Sequence, residues 1–447
     1  MKSLILNILI VFTALELFAQ KDVKKGWNLG VLPSIAYDAD LGFQYGALAN
    51  LFYYGDGSQY PEYLHSIYAE AAYTTKQNGL MRLNFFSRSL LPGYKLFIDA
   101  TYLPDAMSDF TGFNGYQTIY NADWCKNNSD DYLSRAFYKY KRNMFRTSAD
   151  IQKNITNNLN WNVGIGYYIF EVNRVNINKL NKGQKDSKKL PNIDGIYDKY
   201  IKWGLIDENE TGKASFPYVH GGLTFDSRSQ TSAPTSGIWA DAFFTYTAAF
   251  GSHSEYNNLK FNANFKQYIS LGTPRVIFAY RIGTQLTMSG KTPFYMLCNH
   301  NTLEQKRAVY ESLGGSSSLR GILRNRIISN GYALLNTELR IKIKEFNIAN
   351  QHFYIGINPF IDAGMVIQPV DVNEQEIIEI TKTTNDDVNE YFDFSKSKIY
   401  QPHVSGGTGL KIAMNENFIL SVDWATYFNS QDNDKKSNIY VKMGYLF

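Results

Sequence analysis

Arg320 stands in a stretch, Glu311 to Ile327 (ESLGGSSSLRGILRNRI), with two adjacent glycines and three consecutive serines before it and Gly321 directly after it. A guanidinium is permanently charged and presents its donors as a planar fork, so its natural counterpart is a carboxylate that can accept two of them at once. The flanking glycines let the backbone fold back, which would carry the arginine to a place a bulkier loop could not reach. Two carboxylates downstream suit that role: Glu338 in NTELR and Asp362 in FIDAG. An isolated Leu-Arg-Gly is commonly an incidental loop charge, so the elements around these residues must decide whether they meet.

Other chemistry is not visible. His220, His253, His300, His352 and His403 show no metal-ligand spacing, and there is neither a G-x-S-x-G turn nor a glycine-rich phosphate loop. The serines beside Arg320 have no identifiable base. The expectation is a protein that is not an enzyme and needs no cofactor or metal. The formal net charge is +4, with Lys and Arg scattered among Asp and Glu, so nucleic acid is not an expected partner. Cys125 and Cys298 lie far apart and form no C-x-x-C. In an exported chain they could be joined, and their spacing leaves that open.

The elements that must position the charges read as strands. In NLKFNANFKQY, Leu259, Phe261, Ala263 and Phe265 share one face while Lys260, Asn262, Asn264 and Lys266 share the other. ALLNTELRIKIK repeats the pattern, with Leu335, Thr337 and Leu339 opposite Asn336, Glu338 and Arg340. About sixteen such segments follow one another, starting near Trp27, Gly42, Glu62, Gly79, Gly93, Tyr140, Leu159, Phe216, Gly237, Glu255, Arg275, Gly331, His352, Gln401, Asn417 and Ser437. The long connections, near 104–139, 173–215, 289–330, 368–400 and 429–436, all follow odd-numbered strands. A soluble sandwich has no reason to sort loop length by parity, whereas an outer-membrane barrel has short periplasmic turns and long extracellular loops. The fold class is therefore an all-β, transmembrane antiparallel β-barrel of about sixteen strands.

The ends agree. Lys2, an interrupted apolar run from Leu4 to Phe18 and then Ala19-Gln20 read as a signal peptide over residues 1–19, too short to span a bilayer. The barrel would occupy 20–447. At the other end Ile439, Val441, Met443, Tyr445 and Phe447 alternate to a terminal aromatic. All five are expected on one face, a pattern that resembles the signal by which bacterial outer-membrane proteins are recognised for assembly.

These features together resemble the BamA/TamA family of outer-membrane barrels, the bacterial surface antigens. Leu319, Arg320 and Gly321 match the family's Val/Leu-Arg-Gly loop tip, with Ile322 where an aromatic is usual. FIDAG, including Asp362 and Gly364, resembles its Phe-x-Asp-x-Gly, and NTELR its Asn-x-Glu-x-Arg. FDSRSQTSAPTSG resembles its periplasmic turn through Asp226, Arg228, Pro234 and Gly237, and GGTGLKI its Gly-x-Gly-Leu strand. The resemblance implies a sixth extracellular loop folded into the lumen, with Arg320 held by Asp362 and Glu338. The phase of strand thirteen agrees, since Ile355, Ile357, Ile361, Ala363 and Met365 would face lipid and Asn358, Phe360, Asp362 and Gly364 the lumen. Pro359, on the lipid side, predicts a local break in the ladder.

Family members carry POTRA domains before the barrel, but only Gln20 to Gly26 precede the first strand here, so no such domain is expected. Two readings stand. One is assembly, insertion or translocation of outer-membrane proteins with a separate periplasmic or outer-membrane partner, through a seam between the first and last strands weakened by Gly30 and Pro33. The other is a passive channel, or a structural or receptor protein, in which Lys260, Lys266, Arg281 and Arg340 give a mild anion preference. Either way the barrel is expected as a monomer among outer-membrane lipids, with both termini periplasmic.

Overall fold

The computed structural model describes residues 23–299, 311–348, 351–384, 386–415 and 418–447; the expected signal peptide and His300 lie outside the described residues. Sixteen strands close into one antiparallel barrel. They are β1 (Trp27–Pro33, resumed as Ala36–Asp38), β2 (Gly42–Tyr53), β3 (His65–Thr74), β4 (Gly79–Ser87), β5 (Lys95–Leu103), β6 (Lys139–Asn154), β7 (Leu159–Asn173) and β8 (Gly212–Asp226). The second half comprises β9 (Gly237–Thr247), β10 (Asn258–Ser270), β11 (Val276–Gly290), β12 (Gly331–Ile348), β13 (Gln351–Gln368), β14 (His403–Met414), β15 (Phe418–Tyr427) and β16 (Asn438–Met443).

Alternation sets the two faces. Leu29, Val31, Ile165, Val219, Ile282 and Ile361 are among many apolar side chains left exposed on the outside, which suits a lipid-facing surface. Inside, β10 presents Lys260, Asn262, Asn264 and Lys266, all buried, as their period predicts. Loops after odd-numbered strands form one rim: L1 (39–41), L2 (75–78), L3 (104–138), L4 (174–211), L5 (248–257), L6 (291–330), L7 (369–402) and L8 (428–437). L3, L4, L6 and L7 cap that rim with a core of aromatic rings, in which Phe110 meets Tyr140, Tyr200 and Phe294, and Trp203 meets Tyr391. No helix among the described residues is long and apolar enough to cross a membrane, and the strands do the crossing.

Strand pairing is uneven around the circle. β12 and β13 are the longest strands and pair along most of their length, from Gly331↔Gln368 to Ile348↔Gln351. Their ladder skips Leu339 and Arg340, opposite Asn358 and Pro359, where the proline supplies no N–H. β16 instead meets β1 through one register pair, Val441↔Tyr37. The Trp27–Pro33 part of β1 pairs with β2 and with no other described strand, and β1 is interrupted after Pro33.

The last strand departs from expectation. Ile439 and Met443 face outward, but Gly444 adopts φ +83° and the chain turns into the lumen. Tyr445 then lies under Arg340, 4.0 Å from guanidinium to ring centre, and Phe447 is buried against Tyr268, Ile277 and Ala279. Met443, Tyr445 and Phe447 therefore do not share one face. A glycine tolerates the left-handed backbone that ends the alternation, and the lumen offers these rings cationic partners that lipid does not.

Candidate functional site: the arginine-held loop and the seam

L6 reaches the barrel interior, and its tip meets the wall at β12 and β13. Arg320 is fully buried. Its Nε donates to Asp362 Oδ2 at 2.8 Å and its Nη2 to Asp362 Oδ1 at 3.0 Å, the two-pronged geometry that lysine cannot make. Its backbone N–H reaches the same carboxylate at 3.1 Å, and its Nη1 donates to Glu338 Oε1 at 2.7 Å. Asp362 and Glu338 point inward because they fall on the lumen phase of β13 and β12.

The surroundings explain the motif around the arginine. Phe360, two residues before Asp362 and so on the same face, lies 3.4 Å from the guanidinium, which stacks on its ring. The loop's own residue at that place, Ile322, packs with Leu313, Leu319 and Tyr332. Gly364 provides the close approach: a β-carbon there would stand 2.6 Å from Leu319 Cδ1. Gly321 has φ +89°, a turn that aims its N–H at the Tyr440 hydroxyl, 3.0 Å away on β16.

Several partners were not apparent from the sequence. Asp423 on β15 lies 3.5 Å from Arg320 Nη1 and also meets Lys411 at 2.5 Å. Asn336 donates to both Asp362 and the Ser318 carbonyl, at 2.8 and 2.7 Å. Arg340 donates to Glu338 at 2.9 Å and to the Phe447 carbonyl at 2.6 Å. Cations and carboxylates thus alternate, so that burying Arg320 leaves no lone charge. Asp423 was legible in principle, because FILSVDWATY alternates and places Ile419, Ser421 and Asp423 on one face. The lumen cations invoked for anion preference are partly committed: Arg340 as described, and Arg281 to Asn336 at 2.8 Å.

The loop also holds the last strand from inside. Each lumen-facing residue of β16 contacts L6: Asn438 Nδ2 donates to Gly321 O at 3.4 Å, Tyr440 accepts from Gly321 N, and Lys442 Nζ donates to Ser316 O at 2.8 Å. Two further arginines fasten L6 to the cap. Arg326 donates to Gly115 O and Thr118 O of L3 at 2.8 and 2.9 Å, and to Gln431 O of L8 at 2.9 Å. Arg324 donates to Asp105 at 2.7 Å and lies 2.9 Å from Glu311.

The other predicted positions lie elsewhere. At the short-turn rim Arg228 grips Asp226 with both prongs, at 2.9 and 3.0 Å, and stacks over Trp239; Pro234 is buried in that turn and Gly237 ends it. This cluster is remote in sequence and sheet position from Arg320. Cys125 and Cys298 are both free thiols. The described residues contain no cluster of His, Cys, Asp or Glu suited to a metal.

A sixteen-stranded barrel with an apolar belt, a loop in its lumen and a weakly joined seam defines an outer-membrane β-barrel. More narrowly, the chain belongs to the Omp85 superfamily, whose domain model matches residues 65–447. In fold it is similar to BamA from Haemophilus ducreyi, a structure lacking POTRA domains 1-3, with TM-score 0.56 and 15% identity over 94% of this chain and 71% of that one. It is also similar to CdiB from Escherichia coli, with TM-score 0.55 and 10% identity over 92% of this chain. The chain spans 62% of that CdiB structure's length. Among curated proteins none matches it significantly in sequence.

Proposed function

We propose that the protein moves polypeptide segments into or across the outer membrane by parting β1 from β16, with L6 as the internal latch. The observation that carries this reading is the seam: one register pair joins the strands, and the Trp27–Pro33 edge has no strand on its outer side among the described residues. Unpaired N–H and C=O groups along an edge are a template for an incoming strand. The contacts of Asn438, Tyr440 and Lys442 with L6 give the latch a grip on β16, so withdrawing the loop tip would free that strand. In this orientation the long loops are extracellular, both termini are periplasmic, and a periplasmic or outer-membrane partner delivers the client.

The test is a disulfide between Tyr37→Cys and Val441→Cys, in a chain whose Cys125 and Cys298 have been replaced by serine. In a strain that depends on the protein, oxidation should lower outer-membrane protein levels or the secreted client, and reduction should restore them. Undiminished levels with the seam locked would remove lateral opening as the mechanism. The channel reading makes a different demand. Planar bilayers should then show large steady openings for the wild type, whereas the latched barrel conducts only when residues 311–327 are deleted.

A further inference from the structure

The seam carries an arrangement at its long-loop end that strand pairing does not require. Lys76 Nζ in L2 and Lys435 Nζ in L8 both donate to one oxygen, the carbonyl of Ala39, at 2.9 and 3.3 Å. Neither ammonium forms an ion pair with a carboxylate among the described residues. Although the Lys76 side chain is exposed, partial desolvation of its ammonium pulls it below the usual lysine range, and the nearby positive charge of Lys435 adds to the effect. Two like charges converging on a neutral oxygen are favourable only when something anionic is near.

A cavity of about 530 Å³ opens beside them. Arg135 and Lys188 stand on its rim as well, and Tyr120 and Tyr138 supply rings to its wall. Its carboxylates offset this only in part: Asp109 is taken up by Lys139 and by Arg324, the latter at 3.8 Å, which leaves Asp40 and Asp434 facing Lys76, Lys435, Arg135 and Lys188. The wall and rim together suit a ligand with a doubly charged anionic head and a ring-bearing or apolar body.

The location gives the site a consequence. Ala39 closes the turn at the end of β1, Lys76 lies in the turn after β3, and Lys435 leads into β16. We propose that this cavity binds a phosphate monoester, the phosphate seated between Lys76 and Lys435, and that the bound phosphate clasps the first and last strands together at their long-loop ends. The ligand is either the headgroup of a phosphorylated lipid or a soluble sugar phosphate. The binding site stands on the lysines and the cavity alone; the clasp rests on the proposed opening of the seam.

The experiment uses the full chain in detergent micelles and in nanodiscs. Calorimetry with glucose 6-phosphate and with inorganic phosphate reads the soluble source. Native mass spectrometry of nanodiscs holding phosphatidic acid and phosphatidylcholine reads the lipid source. The wild type is expected to take up at least one monoester, and Lys76→Gln with Lys435→Gln to bind it about tenfold more weakly or worse. Lys396→Gln, an exposed lysine of L7, should change nothing. Both cavity lysines are exposed, so unaltered heat-modifiable migration of the double variant shows that folding is intact. Selective retention of phosphatidic acid assigns the lipid source, and uptake of glucose 6-phosphate without lipid selectivity assigns the soluble one. No binding by the wild type, or undiminished binding by the double variant, overturns the site. The clasp is read separately, as the rate of disulfide formation between Tyr37→Cys and Val441→Cys. That rate should change severalfold when the ligand is added, and an unchanged rate with ligand demonstrably bound overturns the clasp while leaving the site. Should locking the seam leave assembly unaffected, the proposed function fails and the binding result is untouched.

Discussion

The β12–β13 wall and the β16–β1 seam are neighbouring-strand contacts of one sheet, yet they are built differently. At the wall the two longest strands pair along most of their length, and the charges they turn inward are matched by Arg320. At the seam a single register pair closes the circle, and β16 is held more by side chains reaching L6 than by backbone bonds to β1. Backbone ladders and buried ion networks break only at high cost, whereas a few side-chain contacts to a loop can be exchanged. The molecule thus has one densely paired wall and one sparsely paired edge, and the same loop touches both.

The largest effect should come from removing the arginine at the densely paired wall. Arg320→Ala leaves Asp362, Glu338 and Asp423 facing one another without their shared cation, a loss of about 3–5 kcal/mol for a broken buried pair. Heat-resistant migration on gels should be reduced and L6 should become open to external protease. Arg320→Lys should recover little, because it cannot fork onto Asp362. Wild-type behaviour of Arg320→Ala would dissolve the distinction between wall and seam. A smaller loss, about 1–3 kcal/mol, is expected for Gly364→Ala, whose added carbon meets Leu319 and must push the loop tip away. Denaturation midpoints of the two variants should fall in that order.

Much of this comparison was legible in the sequence, for identifiable reasons. Period-two alternation located nearly all strand starts within a few residues, with β8 beginning at Gly212 rather than near Phe216. It also put Asp362 and Glu338 on the inner face, because a strand allows a residue only two directions. Phe360 was placed inward too, but its role under the guanidinium depends on where the loop tip comes to rest. The turn at Gly444 was missed because Tyr445 and Phe447 continue the apolar alternation through it, and one glycine is a weak signal against that pattern. The cap was not legible at all: Arg326 binds backbone carbonyls of L3 and L8, which leave no trace in residue type.

The cap sharpens the comparison with milder effects. Arg326→Ala should loosen L3 and L8 from L6, so that protease cuts within 104–138 while the barrel keeps its heat resistance. Both properties falling together would make the cap part of the wall. The smallest effect concerns pH. Burial pushes the Glu210 carboxyl, which accepts the Phe294 N–H at 2.6 Å, up to about 7. The native state therefore binds this proton more tightly than the unfolded chain, so its stabilising effect is complete at low pH and declines as pH rises through about 7. Hydrogen exchange of the Phe294 amide should be faster at pH 8 than intrinsic rates predict from pH 5.5, and Glu210→Gln should flatten that dependence. An equal dependence in the variant would place the titration elsewhere.

The central claim, that the barrel is built to part at one edge only, is tested most directly by hydrogen–deuterium exchange of the protein in a lipid bilayer. Amides of Trp27–Pro33 and Asn438–Met443 should exchange early, while those of Gly331–Ile348 and Gln351–Gln368 remain protected, and Arg320→Ala should speed exchange in Asn438–Met443 further. Equal protection of the seam and the β12–β13 wall would contradict the account.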